Sequence, residues 1–173
     1  GGATNNHWAK DISWGKVDGS GGGGGGGGPG GTCVEGTCGT VESVGTGAQG
    51  TTYQLSIEPA ASASNMYTIF GDSADDMVLP AGYQEAAPFG ANTGGVNPAF
   101  VAVSATAAAD SWLTVGITEG DAAGALGSVG IDWSSWRADA GVTINNGAVF
   151  WMAPTDGPAG KAIVAQITTS GDF

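Results

Sequence analysis

Basic residues are nearly absent from this chain. Of 173 residues only Lys10, Lys16, Arg137 and Lys161 are basic, against 16 acids, for a formal net charge of -12. Four scattered cations cannot neutralise a phosphate backbone, so no nucleic-acid partner is expected. Histidine occurs once, as His7. With one imidazole near the N-terminus, nucleophilic catalysis with a histidine base has little support. No run approaches the ~18–20 consecutive apolar residues of a membrane-spanning helix. An Asn-x-Ser/Thr sequon is lacking, so N-glycosylation is not expected. The chain opens without a methionine or a signal-peptide pattern and reads as processed or excerpted. No segment holds a 3.6-residue apolar period over 11 or more positions, which argues against long amphipathic helices.

Glycine is what the sequence has in excess. It supplies 34 residues, about a fifth of the chain against a usual ~7%. No Gly-X-Y period accompanies it, so collagen is excluded. Disorder throughout is not expected either, because 41% of residues are hydrophobic and six are tryptophan. The glycine is concentrated: 19 of the 34 fall in residues 1–50, eight of them as the block Gly21–Gly28. Two regions are therefore expected, a Gly-rich extended arm over 1–50 and a compact domain over 51–173. The domain carries 12 acids and two bases. Such a surface stays soluble, and it suits cations or a basic partner.

Residues 51–173 read as short strands between turns. Thr51–Ile57 alternates Tyr53, Leu55 and Ile57 on one face. Strands are also expected over 65–70, 77–79, 99–103, 111–117, 128–133, 147–152 and 161–168, separated by Gly, Pro, Asn and Asp clusters. Ala105–Ala109 is Ala-rich but too short to read as a helix. Asn146-Gly147 is a type I′ hairpin signal. Seven or eight such strands predict an all-β fold, an antiparallel β-sandwich or jelly roll, with a barrel as the second choice.

The arm has two readings. An oligo-glycine run is usually a flexible linker. Ordering it costs on the order of 1–2 kcal/mol per residue, so an ordered arm needs a surface that grips it, in its own domain or in a neighbouring chain. Trp8, Ile12 and Trp14 share one face of an extended segment. They would anchor a strand docked on such a surface, main-chain bonds giving affinity and side chains filling pockets. Cys33 and Cys38, the only cysteines, are expected to form a disulfide in an oxidising compartment. It would close a small loop and pin the arm, not brace the core.

Three chemistries are open to the domain. Gly71-Asp-Ser-Ala-Asp-Asp76 places Asp72, Asp75 and Asp76 within five positions, a calcium-binding option, although no EF-hand pattern is present and Asx-turn acids are the plainer explanation. Trp136, beside Arg137 and Asp139, is the tryptophan expected to be exposed and to contact a glycan; Trp112 and Trp151 look like core. Paired carboxylates for glycoside cleavage need only two acids, but no spacing pairs any two. No enzymatic activity is expected.

Five segments carry a resemblance: Asn97-Pro-Ala-Phe100, Asp110-Ser-Trp-Leu-Thr-Val-Gly116, Gly130-Ile-Asp-Trp133, Asn146-Gly-Ala-Val-Phe-Trp-Met152 and Ile163-Val-Ala-Gln-Ile167. Over residues 51–170 the chain resembles a poorly characterised module, often repeated, of large secreted proteins from planktonic algae and aquatic bacteria. The resemblance implies an extracellular or cell-surface setting and carries over no catalytic residue. The expected function is a structural subunit of an extracellular filament, appendage or surface layer. It would assemble with copies of itself through the arm. The alternative is a carbohydrate-binding or adhesion module, with calcium as a candidate ion.

Overall fold

The computed structural model describes residues 32–171. In chain order its elements are β1 (Thr32–Val34), β2 (Thr37–Gly47), β3 (Gly50–Glu58), β4 (Thr68–Gly71), β5 (Met77–Leu79), α1 (Pro98–Val103), β6 (Trp112–Leu113), β7 (Leu126–Val129), β8 (Val142–Ile144), β9 (Gly147–Trp151) and β10 (Ala162–Thr169). The fold is all-β, as expected, and these strands pair antiparallel. They divide among three sheets, with orders β1-β2-β3-β10-β6, β4-β9-β7 and β5-β8.

Strand β10 organises the largest sheet. It pairs with β3 on one side and β6 on the other, and it is buried along nearly its whole length. On one face, Val41, Leu55, Ala165 and Leu113 are register neighbours across four strands. All four belong to one core with Leu79 and Ile144 of the two-stranded sheet and Val149 of the three-stranded sheet. Full burial of each such side chain is worth roughly 1.5–3 kcal/mol. The other face is polar and is covered by the segment that precedes β6. Gln166 accepts from Gln54 at 3.1 Å and donates to the Asp110 carbonyl at 2.8 Å. Thr52 and Thr168 share a buried hydroxyl hydrogen bond of 2.7 Å. These bonds satisfy polar groups that would otherwise be costly to bury.

The domain starts earlier than the composition suggested. Residues 37–47, assigned by sequence to the arm, form β2, which pairs with β3 from Cys38 to Gly47 and buries Val41. The boundary read at residue 50 falls at the first residue of β3, inside the β2–β3 hairpin. Glycine-rich sequence hid a strand, because one apolar side chain at Val41 sufficed to seat it. Cys33 and Cys38 are register partners across β1 and β2, joined by the expected disulfide. The turn between them has positive φ at both Glu35 and Gly36, which suits the right-handed twist of a two-residue hairpin.

Three local expectations are corrected. Residues 99–103 are helical, not a strand. Asn97 caps α1 by accepting from the Ala99 N–H at 2.9 Å, with Pro98 in the first turn; both are strong helix-start signals. Asn146-Gly147 does not close a hairpin, because β8 and β9 lie in different sheets. Glycine is needed at 147 for space: a Cβ there would meet Ile144 Cγ2 at 2.7 Å. The strand read over 111–117 is confined to Trp112–Leu113.

Trp136 is also corrected, from exposed to core. It is 1% exposed, and its indole N–H donates to the Pro80 carbonyl at 2.8 Å. The turn ahead of it is capped by Asp132, which accepts from the Ser134 N–H at 3.1 Å, and this turn directs Trp136 inward. Asp132's carboxyl is held below its ordinary range by the Ser134 and Ser135 hydrogen bonds. Trp136→Ala is therefore expected to destabilise the fold by about 3–5 kcal/mol, measured by urea denaturation. A loss under 1 kcal/mol would contradict the core placement.

Candidate functional site

The residues proposed from sequence do not converge. Trp8, Ile12 and Trp14 lie outside the described residues. Trp136 is inside the core and presents no face to a glycan. Asp72, Asp75 and Asp76 form an acidic turn, not an ion cage. Asp72 Oδ1 accepts from the Ala74 and Asp75 N–H groups at 2.8 and 3.0 Å, the Asx-turn arrangement. No group of three or more His, Cys, Asp or Glu suited to a metal occurs among the described residues. Asp121 is likewise engaged, its two oxygens accepting from Ala125 and Leu126 N–H groups at 2.8 Å each.

What the fold does assemble is an apolar outer face on the three-stranded sheet. Phe70, Ala148 and Val129 are register partners across β4, β9 and β7, so they point to one side. Their neighbours Ile69 and Val149 point inward, Val149 being wholly buried. Two residues on, Phe150 lies beside Gly127, and Met152 lies there too: a Cβ on Gly127 would meet Phe150 Cζ at 2.8 Å and Met152 Sδ at 2.9 Å. Val129 is 60% exposed, Met152 65% and Phe70 39%. A groove of about 400 Å³ opens on this face between Phe70, Val129 and Ala148. Gly71, Gly130 and Gly147 line one end of it, and the acidic turn adjoins it through Asp72. Sequence alternation in Asn146–Met152 was visible, but period two does not say which face meets the core.

A second groove, of about 350 Å³, lies beside α1. Phe89 and Phe100 flank it with rings edge to face at 6.0 Å, and Thr93 and Asn97 add polar groups.

The buried carboxyl of Asp110 was not singled out by sequence. It is 1% exposed and accepts from the Glu85 N–H at 2.8 Å and the Ala91 N–H at 2.6 Å. It thereby ties the 85–91 loop to the sheet. Burial pushes its pKa up to about 6, against the lowering effect of the Ala91 and Glu85 amides. Glu85 moves the other way, held down by hydrogen bonds from Thr106 and Tyr83. Two acids with pKa values pushed apart invite an acid–base reading. However, Asp110 lines neither groove, and both of its oxygens are occupied by backbone amides. The geometry is that of a loop latch.

These features define an all-β domain with an open apolar sheet face, an edge disulfide and an acidic surface. No family model, curated protein or solved structure matches the chain. No helix among the described residues is long and apolar enough to cross a membrane.

Asp110 generates a prediction about pH. Its folded pKa lies above its ordinary value of 3.8, so the folded state holds this proton more tightly. Its contribution is therefore present at low pH and is lost as pH rises from about 4 through about 6. Stability of the wild type relative to Asp110→Asn should fall across that window by on the order of 2–3 kcal/mol at most. Urea unfolding of both proteins at steps between pH 4 and 7 checks it. A difference that stays constant with pH would refute the assignment.

Proposed function

We propose that this chain is a structural subunit of an extracellular filament, appendage or surface layer, and that it assembles with copies of itself through residues 1–31. The observation that carries this reading is where the chain enters the sheet. β1 is an edge strand only three residues long, fastened to β2 by the Cys33–Cys38 disulfide. Thirty-one residues precede it, and they hold Trp8, Ile12 and Trp14. The disulfide supports an oxidising, extracellular setting, as does the resemblance to secreted surface modules. It would also hold the arm's root against a pull. Fully extended, 31 residues reach about 100 Å, enough to cross a neighbouring domain. Deleting residues 1–31 is expected to abolish particles or filaments in negative-stain micrographs. Unchanged assembly would overturn the reading.

Glycan binding is the second reading, and the Phe89–Phe100 groove is what favours it. An aromatic pair beside Asn97 and Thr93 offers an apolar wall with polar groups at hand. Phe100 is exposed at the surface, so Phe100→Ala should fold normally and lose binding on a glycan array. A wild type that binds no glycan would eliminate this reading.

A further inference from the structure

We infer that the apolar outer face of the β4-β9-β7 sheet is the docking surface for the His7–Val17 segment of a second copy. The inference rests on the arm-driven assembly proposed above and assigns its acceptor. Two physical matches point to this face.

The first match is apolar. The face exposes Phe70, Val129 and Met152, and a groove of about 400 Å³ opens between Phe70, Val129 and Ala148. A cluster of this kind on an otherwise acidic surface marks an interaction site. If it is extended, the segment places Trp8, Ile12 and Trp14 on one side. Gly71, Gly130 and Gly147 line the groove with backbone, a surface against which an indole can lie.

The second match is charge. The chain has four basic residues. Two of them, Arg137 and Lys161, sit in the domain and pair with Asp139 at 3.1 Å and Glu42 at 3.4 Å. The other two, Lys10 and Lys16, both fall inside the tryptophan segment. The docking face is bordered by the turn that carries Asp72, Asp75 and Asp76. If the segment is extended, Lys10 and Lys16 alternate with Trp8, Ile12 and Trp14 on one side and Asp11 falls on the other, so the side that docks is apolar and basic and meets an apolar face bordered by carboxylates. The chain from Trp14 to Gly31, if extended, spans about 58 Å. That is sufficient to reach a neighbour whose own sheet root is a domain's width away.

The test uses full-length chains in sedimentation velocity. Wild type is expected to assemble. Val129→Lys spoils the face, and the double change Trp8→Ala/Trp14→Ala spoils the segment; each protein alone should sediment as a monomer. Mixed in equal amounts, they should form a one-to-one dimer, because the intact arm of the first finds the intact face of the second and cannot extend further. Met152→Lys gives an independent face variant should circular dichroism show that Val129→Lys is unfolded. Assembly of both face variants at the wild-type level, with the tryptophan variant monomeric, would overturn this face while leaving arm-driven assembly standing. A mixture that stays monomeric would overturn docking between copies. Wild-type assembly by the tryptophan variant would overturn the arm reading and this inference together.

Discussion

The structure depends on the burial of β10 from both sides. A strand with two covered faces must satisfy two different partners. Its Ala165 face joins the row from Val41 to Leu113 and meets the smaller sheets in one apolar core. Its Gln166 and Thr168 face meets the segment around Asp110 and Ser111 through hydrogen bonds. Apolar burial supplies most of the driving force, while the polar side sets register through bonds that tolerate no slip. The three-stranded sheet covers this core with one face, through Ile69 and Val149. Its other face is left outside, and that is where Phe70, Val129 and Met152 collect.

Much of this was legible in the residues. Strand segments around Thr51–Ile57, Met77–Leu79, Gly147–Met152 and Lys161–Thr168 announce themselves by period two and β-branched or aromatic content, and the cysteine pair announces its own bond. The failures have separate physical causes. β2 was missed because its glycines suppress the apolar signal, while its seat in the sheet comes from backbone pairing, which composition does not record. The helix at Pro98–Val103 was missed because alternation in Ala99–Val103 outweighed the Asn-Pro start signal. Trp136 was misjudged because charged neighbours in sequence do not decide which way a capped turn aims the next side chain. The outer sheet face was invisible for a related reason: alternation divides residues into two faces without naming the inner one.

Glycine has three distinct uses here. At Gly36 it completes a tight turn with positive φ. At Gly147 it admits backbone packing that a Cβ would block. In the block 21–28, under the proposed assembly, it would separate Cys33 from the tryptophans in sequence without adding side chains to desolvate. The uneven charge has a matching logic. Strongly acidic domains repel one another, and in the proposed assembly the two lysines of the arm would offset that repulsion. Lys10 and Lys16 place those charges beside the apolar anchors. In that assembly, repulsion between domains and attraction through one segment would together favour order over random association.

In the proposed assembly one copy's tryptophan segment lies on another copy's outer sheet face. The most direct measurement is zero-length carboxyl-to-amine cross-linking of assembled protein prepared from an equal mixture of light and nitrogen-15-labelled chains. Cross-linked peptides joining Lys10 or Lys16 to Asp72, Asp75 or Asp76 are expected, with light and heavy chains mixed within a single pair. Links found only within one isotope, or links from these lysines only to other parts of the domain, would contradict it.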